Sequence, residues 1–469
     1  MYISDFSLND FRSYRDAVVH FDPGVIAFVG ANGQGKTNLV EAVEYLSTFS
    51  SHRVAADTAL VRQGASAAVV RARIHNASHS SVLELEIMAG KANRARLNRG
   101  AVRPAEIVGM VRTVVFAPED LALVSADPSV RRRFLDDLMV QKFPRMRAVK
   151  ADYEKVLKQR AALLKNAGKV RRRGGYFDDA SLDVWDQQLA HLGARIIHVR
   201  SEIISQLREP VAQYYRDVSG QERAQARIDY DANVNHASSW QLPGLNELAD
   251  HGSPPAAEMS VEASISEPNG ASHVSQLAGN NSDGIHRGDG SEYSDASHFA
   301  QEKIAEREQW MSDSSAVEAT LLQLLKDKRD REIELGVNLV GPHRDDLRLG
   351  LGSLPAKGYA SHGESWSYAL ALKLACWQLL RSGAWGIWDE GDDPILILDD
   401  VFAELDVHRR NRLADLINEA QQVFITAAVG DDLPERLHAT RYRVQAGTVS
   451  KIEANREADV SADGGEHHE

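Results

Sequence analysis

Apolar positions over the first 30 residues come in short runs bounded by turn residues. Ile3, Phe6 and Leu8 precede a charged turn, Val18 and Val19 follow it, and Asp22-Pro23-Gly24 leads into the unbroken run Val25-Ile26-Ala27-Phe28-Val29. That pattern predicts strands, then a glycine-rich turn and a helix. More strands are expected over Ala67 to Ile74, Val82 to Met88 and Val111 to Phe116, and from about residue 129 the texture turns helical. Met146, Val149, Tyr153, Val156 and Leu163 recur at three/four spacing, broken by Arg160. Leu182, Trp185, Leu189, Leu192, Ile196, Val199 and Ile203 alternate strictly by three and four, the seam of three heptads. Between the two lies Lys169-Val170-Arg171-Arg172-Arg173-Gly174-Gly175. We read two antiparallel helices forming a short arm with a basic tip. Two core helices of a compact domain would give the same spacing.

Residues 236–300 lose this periodicity. The last fifty of them hold ten serines and few aliphatics, with Asp283-Gly284 and Gly288-Asp289-Gly290 among them. Such a segment cannot bury enough apolar surface to offset its ordering entropy, so a disordered insertion is expected. Helix is expected again over 301–333, around Val317, Leu321 and Leu324, and the acidic tail after about 455 is expected to be disordered.

Charge changes the picture once it is divided. The 469 residues carry a net −13, which speaks against a polyanion partner. Residues 1–235, however, hold 34 Lys and Arg against 27 Asp and Glu, a balance of +7, and the acidic excess lies in the remainder. Screening makes local charge matter more than the total. The single cysteine, Cys376, excludes an internal disulfide framework and suits a reducing compartment. The charged start lacks the apolar core of a signal peptide, and no stretch approaches the about 18 apolar residues of a membrane span. A cytoplasmic protein without a membrane partner is the expectation.

Two elements carry candidate chemistry. Gly30-Ala31-Asn32-Gly33-Gln34-Gly35-Lys36-Thr37 fits G-x-x-x-x-G-K-[ST] without mismatch, after an apolar strand and before a helix. Glycines let the backbone curl so that amides face phosphate oxygens, and the helix N-terminus adds its positive end. Lys36 would reach the β- and γ-phosphates of ATP, and Thr37 would hold Mg²⁺. Some 360 residues later, Ile395-Leu396-Ile397-Leu398-Asp399-Asp400 reads as a buried parallel strand ending in two carboxylates. Asp399 there can hold Mg²⁺ through water, and Asp400 can polarise the attacking water. A gap this long, filled by arm sequence, is typical of heads whose sheet is completed by both chain ends.

At this point the chain resembles the RecF family of recombination mediator ATPases. The likeness rests on Asn9-Asp10-Phe11-Arg12-Ser13-Tyr14, Gly30 to Asn38 with Glu41-Ala42, Ser51-His52-Arg53, Phe116-Ala117-Pro118-Glu119-Asp120 and Arg131 to Asp136. It continues through Gly341-Pro342-His343-Arg344-Asp345-Asp346, Ser361-His362-Gly363-Glu364-Ser365 and Leu398 to Asp406. The resemblance implies an α/β, ABC/SMC-like ATPase head, its mixed sheet built from both chain ends, with a helical arm as a short antiparallel coiled coil. Together with the periodicity above, it divides the chain into head (1–128, with the phosphate loop), arm (129–235), an insertion with no recognised counterpart in the family (236–300), returning arm (301–335), head again (336–454) and tail (455–469). It implies ATP joining two heads into a homodimer, with Ser361 and Gly363 reading the γ-phosphate on the other subunit ahead of a helix from Ser367 to Leu380, and Asp406 at the seam. It also implies binding of single- and double-stranded DNA at gaps, action with RecO and RecR, assistance to RecA loading, and a part in the SOS response. Asp400 stands where a glutamate is usual, so its shorter side chain predicts slow hydrolysis. His362 and Glu364 replace glutamines of many relatives, and Thr426 stands where ABC transporters keep a histidine.

Other readings compete. A transporter ATPase subunit would lack the arm helices and the motif from Gly341 to Asp346, and an SMC-type tether would need far longer arms. Lys91, Arg94, Arg96, Arg99 and Arg103 around the expected hairpin Leu97-Asn98-Arg99-Gly100, with Arg171 to Arg173, read as phosphate contacts or as plain solvated surface. Arg131 to Arg133 run into apolar Phe134 and Leu135, which favours a role in head folding or ATP response. His343 reads as structural or as a dimer-seam residue rather than a metal ligand.

Overall fold

The computed structural model describes residues 1–236, 303–381 and 392–452, apart from 52, 55, 78 and 222–224. The expected insertion, His236 excepted, and the expected acidic tail lie outside the described residues. Alternating burial makes strands of Tyr2–Phe11 (β1) and Tyr14–His20 (β2). The all-apolar run becomes Gly24–Val29 (β3), followed by helix Lys36–Thr48 (α1). Ala67–His75 (β4), Ser80–Met88 (β5), Arg94–Leu97 (β6) and Gly100–Val102 (β7) complete an antiparallel sheet in the order β2-β1-β4-β5-β6-β7. Asn98 and Arg99 both take positive φ (49° and 73°), as a two-residue hairpin with the twist of its strands requires.

The central sheet draws on both ends of the chain. Thr113–Phe116 (β8) comes from the N-terminal part. Further on lie Ala226–Asp231 (β9), Asp346–Leu351 (β10), Leu354–Pro355 (β11), Ile395–Asp399 (β12), Gln422–Ala427 (β13), Thr440–Gln445 (β14) and Thr448–Lys451 (β15). The order is β15-β14-β3-β13-β12-β8, parallel throughout except for the β14–β15 hairpin. Both faces of this sheet are covered, which explains why its strands show no polar alternation. Ala27, Leu396, Leu398, Val423 and Ile425 enter the core under the helices, whereas Ile26, Phe28, Ile395, Ile397 and Phe424 enter the core against the antiparallel sheet. Buried Gln422 clamps the two sheets, accepting from Ile3 N at 2.8 Å and donating to Ile3 O at 2.9 Å.

Short helix Ala122–Ser125 (α2) and Pro128–Lys142 (α3) lead into Met146–Arg172 (α4) and Ala180–Ser219 (α5). Ser314–Leu335 (α6), in the stretch expected to return along the arm, packs along both. The seam reading holds, with Leu182, Leu189, Ile196 and Ile203 buried. Arg160, read as a break, is instead its polar centre. Fully buried, it donates to Asp186 of α5 (2.6 Å), Glu332 of α6 (2.6 Å) and Asn338 (2.8 Å). The helices' lower halves share the head's core, so the arm and compact-domain readings each describe part of the bundle. Residues 226–231, inside the stretch assigned to the arm, form β9. With Ala226, Ile228 and Tyr230 buried in alternation, β9 pairs with β10 in a three-stranded sheet. Helices His362–Arg381 (α7) and Val407–Ile417 (α8) complete the head. Among the described residues no helix is long and apolar enough to cross a membrane.

Candidate nucleotide site

The turn between β3 and α1 curls because Gly33 (φ 82°) and Gly35 (φ 109°) adopt backbone that side chains disfavour. Gly30 is a glycine for another reason: a Cβ there would lie 2.3 Å from the Val444 carbonyl oxygen of β14. Lys36, 4% exposed, turns its ammonium into the curl, donating to Gly30 O at 2.7 Å, with Ala31 O and Asn32 Oδ1 at 3.4 Å. Gln34 Oε1 accepts from Ala446 N (2.8 Å), which ties the loop to the β14–β15 turn. Tyr14 donates its hydroxyl proton to Gly35 O (3.0 Å). Asn38 donates to Ser13 Oγ (2.9 Å) and accepts from Arg53 (3.0 Å). Buried Glu41 gathers Arg12 (2.6 Å) and the Ser51 hydroxyl (2.5 Å). Three distant motifs thus meet around the first turns of α1.

The acid pair arrives from the other end of the chain. Thr37 donates to Asp399 Oδ1 at 3.0 Å, across 362 residues of sequence. Thr426 of β13 donates to the same oxygen at 2.6 Å and accepts the Asp400 N–H at 2.8 Å. Asp400, just past β12, holds φ 52°. The structure therefore brings Gly30 to Asn38, Asp399 and Asp400 to one spot at the C-terminal ends of β3 and β12, where parallel sheets place ligands. Thr426 belongs there too. Its signal in the sequence was a lone hydroxyl after Val423-Phe424-Ile425. Ser13, Tyr14 and Arg53 stand in the motifs that carry the family likeness, but no site role is read from them in the sequence.

Ser361, Gly363 and Asp406 form a second constellation. Helix α7 begins at His362, not at Ser367 as expected, because Ser361 and Glu364 make a capping box. Ser361 N donates to Glu364 Oε2 (2.8 Å), and Glu364 N donates to Ser361 Oγ (3.3 Å). Hydrogen bonding from the Ser361 side chain and backbone holds the Glu364 carboxyl below its usual range. Gly363 therefore lies in the first turn of α7. The Arg409 guanidinium covers it so closely that a Cβ would meet Nη1 at 2.7 Å. Asp406 caps α8 by accepting from Arg409 N (3.0 Å), which lowers its pKa, and Arg409 Nη1 lies 3.2 Å from its carboxylate. Arg409 thus joins the two helix starts on one face.

Several arginines are engaged in the fold. Arg131 makes a bidentate pair with Asp346 (2.8 and 2.9 Å), Arg132 donates to Asp345 O (2.7 Å), and Arg133 to Ser51 O (3.1 Å). Buried Asp345 accepts from Tyr230 OH (2.5 Å) and Asn233 N (2.7 Å). His343 accepts from Tyr153 OH at Nδ1 (2.8 Å) and faces Asn338 O with Nε2 (3.3 Å), a structural placement. At the β6–β7 hairpin Arg94, Arg96 and Arg103 pair with Glu86, Glu84 and Glu106, and Lys91 and Arg99 are exposed. At the arm tip Arg171 binds Asp179 and Asp330.

A phosphate loop and an acid pair on two strands flanking β13, with a covering antiparallel sheet and a helical arm, define an ATPase head of the ABC/SMC type. The family model for the RecF/RecN/SMC N terminal domain matches residues 2–447. The DNA replication and repair protein RecF of Beutenbergia cavernae is 47% identical over 456 residues, covering 96% of this chain and 100% of that one. Its namesake from Streptomyces avermitilis is 46% identical over 454 residues, with the same coverage of both chains. A solved structure of the recombination mediator protein RecF-ATPrS in the RecFOR pathway has the same fold. Its TM-score is 0.71 at 24% identity, over 96% of this chain and 98% of the other. The chain belongs to the RecF family of DNA replication and repair proteins.

Proposed function

We propose that this chain binds ATP in the cradle of Gly30 to Asn38 and works as an ATP-gated, DNA-binding protein of recombinational repair. The observation that carries the reading is the meeting of a buried ammonium, a threonine hydroxyl and two carboxylates from opposite chain ends: Lys36, Thr37, Asp399 and Asp400. On this reading Lys36 neutralises the β- and γ-phosphates while the loop amides and the start of α1 hold them. Thr37 and Asp399 present hard oxygens 3.0 Å apart, a donor set that fits Mg²⁺ shared with phosphates rather than a closed protein cage. When bound, the ion supplies positive charge against the phosphate oxygens. Asp400 polarises the attacking water, and its short side chain goes with slow turnover.

The face of Ser361, Gly363 and Asp406 closes over the ATP of a second copy, giving a homodimer. The relatives' name supports DNA repair as the process; DNA at gaps, RecO and RecR as partners, RecA loading as the outcome and the cytoplasm as the place complete the proposal, as the family resemblance implies. Titration with a fluorescent ATP analogue tests the core of the reading. Lys36→Met should abolish binding while the melting curve stays in place, and equal affinity in variant and wild type would overturn it.

A further inference from the structure

Strand β13 is buried along its whole length, with Val423, Phe424, Ile425 and Ala427 filling the cores on its two faces. Thr426 puts a hydroxyl into this run, and solvent does not reach it. Buried hydroxyls need partners, and those of Thr426 lie in the acid pair. Its proton goes to Asp399 Oδ1 at 2.6 Å, its oxygen accepts the Asp400 N–H at 2.8 Å, and Asp400 Oδ1 lies 3.4 Å away. Parallel register sets Thr426 opposite Asp399, which brings its hydroxyl within reach of both acids. Asp400 sits at φ 52°, in the left-handed region that Asp enters more readily than most residues, and the bond from its N–H to Thr426 fixes it there. Asp399 Oδ1 is therefore fixed by two hydroxyls, one from the phosphate-loop helix and one from β13.

We infer that Thr426 is a positioning residue for the acid pair. It holds the Asp399 carboxylate and the Asp400 backbone in the geometry from which they serve nucleotide and water. The inference rests on the ATP reading above. It assigns to the end of β13 a role carried out from beneath the acids rather than by contact with the nucleotide.

Valine matches threonine in shape but has no hydroxyl. Thr426→Val therefore removes the proton given to Asp399 and leaves the Asp400 N–H unmatched, whereas Thr426→Ser keeps both bonds. The experiment measures turnover against ATP and Mg²⁺, binding of a fluorescent ATP analogue with EDTA and with Mg²⁺, and thermal melting. The valine variant should bind the analogue in EDTA as wild type does. It should require more Mg²⁺ for half-maximal turnover and lose kcat by about 10- to 100-fold, the scale of one hydrogen bond to a charged group, with little change in KM. The serine variant should recover most of this loss. Undiminished kcat with an unshifted Mg²⁺ requirement in Thr426→Val overturns the inference. So does early melting with joint loss of turnover and metal-free binding that serine fails to rescue, since that marks a packing role. A wild type that binds no analogue defeats the ATP reading and the inference with it, which separates the two failures.

Discussion

At the scale of single residues, the phosphate loop uses its glycines for different physical reasons, and their substitutions should separate. A Cβ on Gly30 would meet the Val444 carbonyl at 2.3 Å, so alanine must push β14 from β3 or distort the loop. A Cβ on Gly33 meets nothing within 4 Å, but its φ of 82° is strained for alanine. Overpacking costs about 1–3 kcal/mol and left-handed backbone roughly 1–2 kcal/mol, the latter in a loop free to relax. Gly30→Ala should therefore lower both melting temperature and nucleotide affinity, and Gly33→Ala mainly the affinity. Thermal melts would contradict this reading if Gly33→Ala proved the more destabilising.

At the scale of elements, buried polar groups tie the arm helices to one another and to the head. Removing one partner of a buried ionic set such as Arg160, Asp186 and Glu332 leaves an uncompensated charge. That asymmetry makes the set a fixed reference for three helices. His343 joins α4 to the loop before β10 through Tyr153, and burial pushes its pKa down from 6.5 to about 4. The folded state thus favours the neutral ring. Its contribution is complete above pH 6.5 and is lost as pH falls from 6.5 toward 4, at about 1.4 kcal/mol per pH unit. Urea unfolding at pH 7.5 and 5.5 should show a smaller loss of stability on acidification for His343→Asn than for wild type. An identical loss in both would place the titration elsewhere.

At the scale of the whole molecule, the residues to which the proposal gives nucleotide roles lie in two places. The loop with Thr37 and the acid pair share the ends of β3 and β12, whereas Ser361, Gly363 and Asp406 share a separate face under Arg409, Ser361 being exposed. If that face completes the site of a second head, Ser361→Arg should bind ATP as tightly as wild type yet remain monomeric with ATP analogue and Mg²⁺. Sedimentation velocity checks this, and a variant that dimerises like wild type would remove the shared-site model. Dimerisation should likewise require both nucleotide and Mg²⁺.

Much of this was legible in sequence because the interactions are local or periodic. The phosphate loop shows itself through glycines that a curled backbone requires, and β12 through an aliphatic run that only a strand covered on both faces tolerates. The α5 seam shows itself through a repeat matched to the helical turn. What depended on long-range pairing was not legible. The start of α7 is a local matter, set by the Ser361 and Glu364 capping box. By contrast, the role of Arg160 needed carboxylates from two other helices, and β9 needed a partner more than a hundred residues away. Thr426 looked like a departure from a pattern until parallel register set it beside Asp399. Local sequence determined which elements form and which loop can cradle phosphate. Only the assembled sheet, with β13 between β3 and β12, decided which hydroxyl holds which acid, because register between distant strands is a property of the packed whole.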